Sequence, residues 1–354
     1  MADAAPGIGI GIGTGAGAGT AICTWFVSDD ASNATFSPQL GKNSDAPEVQ
    51  QAYWRCIAVF YASSIAVNPG ARHVFFSNVS PPSVGGVDLA ALFVRWGVEV
   101  VALPITWRLS SAAVSAWANQ FYVFEILQHI SANPIGERVL VLDNDVIWLR
   151  PVTEMAQAID RHGALTYLLD DADYTGASMI NGLSGEGMAR FVARHGGPVE
   201  AATPYCGGEI YAATQALTRR FAERAKALWP DVSSQAADAP REDGHMLSVL
   251  YALERVKIGT AKGFIRRLWT TFHFHNLAPG DRDLTIWHLP AEKKTGFADL
   301  FAQVTANPAL HPGGDGAAMG LTYANYARVM GYPRRGAVKL VRDLSLKIIE
   351  KLRK

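Results

Sequence analysis

Asp143 and Asp145 stand two residues apart at the end of an apolar run, in V-L-V-L-D-N-D-V-I-W-L-R-P (139–151). Carboxylates are depleted in strands and seldom buried without a partner. Alternation along an extended chain puts both on one side. Two hard oxygen donors so placed suit a divalent cation, although the same pair could cap a turn and face water. The chain turns apolar again at Val146–Leu149, so the pair lies between two segments that read as buried.

Other polar groups appear in similarly apolar settings. In P-Y-C-G-G-E-I-Y (204–211), Gly207 and Gly208 precede an apolar strand and permit close backbone approach to a ligand, with Glu209 as a polar group in the same tight place. In R-E-D-G-H-M-L (241–247), Glu242 and Asp243 stand just before a helical run, where an Asp would also serve as an N-cap. The segment I-W-H-L-P-A-E-K-K-T-G-F (286–297) carries His288, Lys293 and Lys294. His273 and His275 share a strand face and read as structural or acceptor-side groups. Asp170-Asp171-Ala172-Asp173 reads as a solvated loop.

The elements that must position these residues alternate between strand and helix. Strands are expected at Thr20–Val27, His73–Ser77, Val98–Leu103, Val139–Leu142, Leu165–Leu169, Phe264–His275 and Leu284–Leu289. Helices are expected at Ala46–Val67, Asp88–Trp96, Ser110–Ile130, Val152–His162, Gly185–Gly196 and Leu217–Trp229, with a loop over Pro230–Ala239 and then the 241–247 segment running into another helix that ends at Leu253. That rhythm predicts an α/β chain with a mostly parallel, doubly wound sheet flanked by helices. Asp143 and Asp145 would then lie at the carboxyl end of its fourth strand, the usual ligand edge.

Composition narrows the class. The 354 residues are 49% hydrophobic and 18% charged with zero net charge, which describes a globular chain and gives no reason to expect nucleic-acid binding. Three cysteines without a C-x-x-C spacing make neither a disulfide framework nor a zinc site and fit a reducing cytoplasm. No Lys or Arg precedes Lys42, so a secretory n-region is missing, and no apolar run approaches the ~20 residues of a membrane span. Residues 1–19 are Gly/Ala/Ile-rich and read as a disordered leader. Their G-x-G spacings precede the first strand, the wrong order for a dinucleotide loop.

Taken together, the D-N-D, G-G-E-I-Y, E-D-G-H-M and I-W-H-L-P-A-E-K-K-T-G-F segments occur in the order found in retaining GT-A fold glycosyltransferases, which the chain resembles over roughly residues 20–300. The third segment resembles the D-E-S-H-L of blood-group-type transferases. The fourth resembles the H-x-x-G-x-x-K-P-W ending of glycogenin-like and lipooligosaccharide galactosyltransferases, without its Gly and Pro-Trp. The resemblance implies a Rossmann-like catalytic domain over 20–312 and transfer of a sugar from a nucleotide-diphosphate donor, UDP-sugar favoured. It assigns Asp143, Asp145 and His288 to the metal, Mn2+ or Mg2+. Trp25, Phe26, Val27, Asn144, Gly207, Gly208 and Lys293 or Lys294 would bind the donor. Asp243, Glu242 and Glu209 are the catalytic candidates, with Asp243 in the place of the D-E-S-H-L glutamate. Two rival classes share the fold: a non-catalytic sugar-nucleotide or glycan-binding module, and a metal-dependent nucleotidyltransferase. The latter would normally show a Gly-rich loop where Ser28-Asp29-Asp30 stands.

Residues 313–354 form an extension ending in A-V-K-L-V-R-D-L-S-L-K-I-I-E-K-L-R-K (337–354). Arg334–Lys354 holds eight basic and two acidic residues, a net of +6. At helical spacing Val338, Leu340, Val341, Leu344, Ile348, Ile349 and Leu352 fall on one side, with basic residues on the other. Such a helix can lie on an anionic membrane, here the inner face reached from the cytoplasm, or dock on protein. Membrane contact would suit a glycan or lipid-linked acceptor in surface polysaccharide or glycoconjugate synthesis.

Overall fold

The structure, a computed structural model, describes residues 19–109, 119–169, 176–271 and 275–352. Nearly all of the expected leader, the start of the helix expected from Ser110, the acidic segment at 170–173 and His273 lie outside the described residues.

A seven-stranded sheet is built from β1 (Thr20–Phe26), β2 (Arg72–Ser77), β3 (Val98–Ala102), β4 (Arg138–Leu142), β6 (Ala164–Leu169), β7 (Tyr205–Thr214) and β8 (Gly259–Thr260), in the order β8-β6-β7-β4-β1-β2-β3. β7 runs antiparallel to both of its neighbours and the other pairings are parallel. The expected mostly parallel sheet is therefore present, with one reversed strand.

The apolar run before the aspartates forms β4 because it is buried on both faces: Val139, Leu140, Val141 and Leu142 are all at most 2% exposed. Alternation sends Leu140 and Leu142, with Ile22 of β1, into one core. Val139 and Val141 enter the opposite one with Ala21 and Cys23. Helices α1 (Pro47–Val67), α2 (Leu89–Arg95) and α4 (Thr153–His162) contribute to the first core. Helices α3 (Tyr122–Ala132), α5 (Gly185–Arg194), α6 (Gln215–Ser233) and α7 (Asp243–Leu253) contribute to the second. Helices thus cover both faces, the doubly wound arrangement.

At Asp143 the chain leaves the large sheet. β5 (Val146–Trp148) joins a separate three-stranded sheet with β9 (Ile265–Arg267) and β10 (Ile286–His288), in the order β9-β10-β5. After it come α8 (Gly296–Val304), α9 (Tyr323–Met330) and α10 (Ala337–Leu352). Tyr326, Val329, Met330 and Tyr332 share the first core with α1 and α8.

Several boundaries differ from expectation. The strands expected over Phe264–His275 and Leu284–Leu289 shrink to three residues each: β10 pairs along the three residues of β5, and β9 pairs with β10 alone. Helix α3 begins at Tyr122 after a turn at 119–121, and the Asn119 amide is used on Asp29 at 3.2 Å. Helix α6 continues past Pro230 to Ser233, where fully buried Val232 holds the last turn against the proline's disruption. Gly207 and Gly208 lie inside β7 rather than before it, next to a register shift between Leu165 and Tyr167 of β6.

Candidate active site

The carboxyl ends of β1 and β4, the front half of β7, the start of α7 and the rim of the small sheet enclose one cleft of about 270 Å³, far more than a single ion needs. Its lining includes Trp25, Phe26, Val27, Asp143, Asn144, Asp145, Gly207, Gly208, Glu209, Glu242, Asp243, His288 and Lys293. Every residue expected in a donor or metal site is there except Lys294, which is exposed and absent from the lining.

His288 arrives from far along the chain because β10 pairs antiparallel with β5 in the register His288↔Val146, while the Leu289 amide donates to the Asp145 carbonyl at 2.9 Å. The imidazole therefore sits beside the aspartates: Nε2 is 3.4 Å from Asp143 Oδ2 and 3.3 Å from Asp145 Oδ1. One ligand atom from each of the three lies within 4.8 Å of the others. Ligands at ~2.0–2.1 Å from one ion stand roughly 3 Å apart, so this set of two hard oxygens and one imidazole fits a divalent cation.

Lys293 completes the cluster from the turn after β10. Its ammonium donates to Asp145 Oδ2 and lies 5.5 Å from the centre of the Tyr53 ring. Burial opposes charge on both partners, but Lys293 and then His288 hold the Asp145 carboxyl well below its ordinary range, and Asp145 in turn raises Lys293. Asp143 behaves differently: burial, with Asp145 and Glu209 nearby, raises its carboxyl to about 6 against the pull of His288 and Lys293. Its side chain keeps 38% of its surface exposed, so solvent tempers that rise.

The cleft holds three more carboxylates in different settings. Glu242 accepts from the Tyr205 hydroxyl at 2.6 Å and from the Asn181 amide. Glu209 pairs with Arg267 at 3.0 Å. Asp243 accepts from the Gly244 amide at 2.8 Å, and its charged neighbours Glu242, Asp143 and Glu209 are all acids. Burial, with those neighbours, raises its carboxyl well above the ordinary value. The site's glycines have a steric cause: a Cβ on Gly208 would lie 2.4 Å from both Asp243 oxygens, and one on Gly207 would lie 2.2 Å from Glu209 Oε2.

Among the aromatic candidates, Phe26 packs on Trp54 at 4.8 Å and Val27 is 4% exposed, so both are also core residues. Trp25 is half-buried, packs on Tyr122 at 5.8 Å and offers its carbonyl to the Asn144 amide at 3.2 Å. Three further lining residues, Arg267, Tyr205 and Asn181, are not among the candidates that the sequence offers. The adjacent pair Arg266-Arg267 in an otherwise apolar strand is the signal that could have flagged the first.

No family model matches the chain, and no curated protein matches it. The fold is similar to solved glycosyltransferase structures at low identity. An active-site mutant of LgtC is 13% identical, with 76% of this chain and 86% of that chain covered and a TM-score of 0.42. Galactosyltransferase LgtC in complex with donor and acceptor sugar analogues is 12% identical over 76% and 86% of the two chains, at 0.44. Mouse xyloside xylosyltransferase 1 in its apo form is 14% identical over 75% and 96%, at 0.41. Likeness at that level does not establish a shared activity, which depends on the residues of the cleft.

Proposed function

We propose that the protein is a metal-dependent glycosyltransferase that moves a sugar from a nucleotide-diphosphate donor, UDP-sugar favoured, to a glycan or lipid-linked acceptor with retention at the anomeric carbon. The observation that carries this reading is the meeting of Asp143, Asp145 and His288 around one point of a cleft that also holds Asp243, a buried carboxylate whose charged neighbours are the acids Glu242, Asp143 and Glu209.

A donor diphosphate is a poor leaving group until its developing charge is offset. A Mn2+ or Mg2+ ion held by Asp143, Asp145 and His288 would supply that offset as a Lewis acid. Lys293 fixes the orientation of Asp145 through the carboxylate oxygen it binds, as a supporting contact for a ligand. The sugar left behind has oxocarbenium character. Asp243, in its ionised form, would provide the negative group to stabilise it; Glu242 and Glu209 are already engaged by Tyr205, Asn181 and Arg267. Gly207 and Gly208 let the Glu209 and Asp243 carboxylates lie directly against the β7 backbone. The catalytic unit in this reading spans 20–312, and the extension at 313–354 offers its exposed apolar residues to a membrane, where surface polysaccharide or glycoconjugate synthesis would present a lipid-linked acceptor.

The test is a thermal-shift panel of nucleotide-diphosphate sugars with and without Mn2+. One donor is expected to raise Tm only when the metal is present, as a ligand binding the folded state must. Release of nucleoside diphosphate in the presence of acceptor then distinguishes an enzyme from a binding module. A panel without any metal-dependent shift would defeat the proposal.

A further inference from the structure

Arg267 enters the cleft through the same small sheet that delivers His288. β9 and β10 run parallel in the register Arg267↔His288, so the guanidinium rises one strand away from the imidazole. Its Nη2 donates to Glu209 Oε1 at 3.0 Å. The two partners are unequal: the Glu209 side chain is 1% exposed and that of Arg267 is 44% exposed. Glu209 is pinned further, because its carbonyl accepts from the Asp143 amide at 3.1 Å. Its second carboxylate oxygen, Oε2, is buried without a hydrogen-bond partner among the described residues.

The cleft lining carries five carboxylates, Asp143, Asp145, Glu209, Glu242 and Asp243, against two permanent cations, Lys293 and Arg267. Lys293 has 7% of its side chain exposed and is committed to Asp145. Among the described lining residues, Arg267 is thus the cation with open surface to offer an incoming anion. A planar guanidinium presents paired donors that match phosphate oxygens.

We propose that Arg267 binds the phosphate that leaves the donor, with Glu209 as the positioning residue that holds the guanidinium in place. The inference rests on reading the cleft as a sugar-transfer site. In the step it serves, the bond between the anomeric carbon and the diphosphate oxygen breaks, with its electron pair going to that oxygen. The acceptor hydroxyl oxygen forms the new bond and gives up its proton to the departing phosphate oxygen. Arg267 stays protonated throughout and stabilises the charge arriving on the phosphate.

Calorimetric titration with a nucleoside diphosphate, the matching monophosphate and the free nucleoside, all with Mn2+, tests this on Arg267→Ala, Arg267→Lys and the double variant Arg267→Gln/Glu209→Gln. Diphosphate affinity is expected to fall by about tenfold to a hundredfold in Arg267→Ala, the size of a charge-assisted hydrogen bond, with nucleoside affinity nearly unchanged and kcat lowered more than donor KM is raised. Arg267→Lys recovers part of the loss. The double variant removes the unpaired buried acid, so it folds normally and keeps the diphosphate defect. Unchanged diphosphate affinity overturns the inference; so do equal losses for diphosphate and nucleoside, or an effect confined to acceptor KM. If the wild-type protein binds no nucleoside diphosphate with Mn2+, the transfer reading itself fails and takes this inference with it.

Discussion

Asp243 stands buried among acids, and that arrangement has a stability cost which exposes its role. Its folded pKa is raised by burial and then by Glu242, Asp143 and Glu209. A carboxyl raised in this way binds its proton more tightly folded than unfolded, so it opposes folding as pH climbs above the ordinary Asp value of about 3.9 and ceases to do so below it. Asp243→Asn is therefore expected to raise Tm by a few degrees at pH 7–8, with the gain vanishing near pH 4. Sugar transfer should fall roughly a hundredfold or more, as when a transition-state charge partner is removed. Turnover within a few-fold of wild type would exclude Asp243 from the chemistry. Asp143 carries a second pH dependence: its carboxyl is raised to about 6 by burial and must be ionised to hold a cation. The Mn2+-dependent Tm shift should shrink between pH 7.5 and pH 5 and disappear in His288→Ala; a shift independent of pH and of His288 would place the metal elsewhere. These residues were legible in the chain because carboxylates, an imidazole and paired glycines are conspicuous beside apolar runs. Arg267 was marked only by the adjacent Arg266 in an apolar strand, and its pairing was not legible, since its partner Glu209 lies 58 residues earlier and no spacing connects them.

At the scale of elements, the site depends on a junction: β4 ends, two aspartates pass, and β5 starts a different sheet that returns His288 and Arg267 to the same edge. Long apolar runs made the main strands and their carboxyl edge readable, whereas β9 and β10 are three residues each and exist through pairing, β9 with β10 and β10 with β5. Pairing between Val146 and His288 joins segments too far apart in the chain to leave any local periodicity. The turn following β10 is held from beyond it. Glu292, next to Lys293, is 3% exposed and accepts from the Thr295 hydroxyl at 2.7 Å, the Thr270 hydroxyl and the Lys339 ammonium at 2.8 Å. Lys339 belongs to α10, so the C-terminal helix braces the turn that carries Lys293 toward Asp145. Lys339→Met leaves Glu292 as an uncompensated buried charge and should cost about 3–5 kcal/mol in chemical denaturation, with Lys339→Met/Glu292→Gln recovering most of it. A single variant as stable as wild type would show that the brace contributes nothing.

For the molecule as a whole, the unexpected feature is how α10 is mounted. An amphipathic helix ordinarily packs by its apolar face, yet here the polar side engages the protein. Lys339 binds Glu292, Arg342 pairs with Asp299, and Asp343 lies 3.3 Å from Lys339. Leu340, Val341, Leu344 and Ile348 are 38–62% exposed on the side away from these contacts. Sequence periodicity showed two faces; it held no information on which would dock, because that is decided by Glu292 and Asp299 on other elements. No helix among the described residues is long and apolar enough to cross a membrane. In the reading proposed above, the outward apolar stripe, on a segment with eight basic and two acidic residues, would lie on an anionic surface. Full-length protein is expected to float with phosphatidylglycerol vesicles and much less with phosphatidylcholine vesicles, while protein ending at Gly336 stays in the dense fraction. Val341→Glu/Ile348→Glu should reduce flotation by about tenfold or more without lowering Tm, since neither residue is buried. If that double variant instead converts a dimer to a monomer in sedimentation, or if the shortened protein floats as well as the full chain, the stripe meets another protein surface and the lipid assignment is lost.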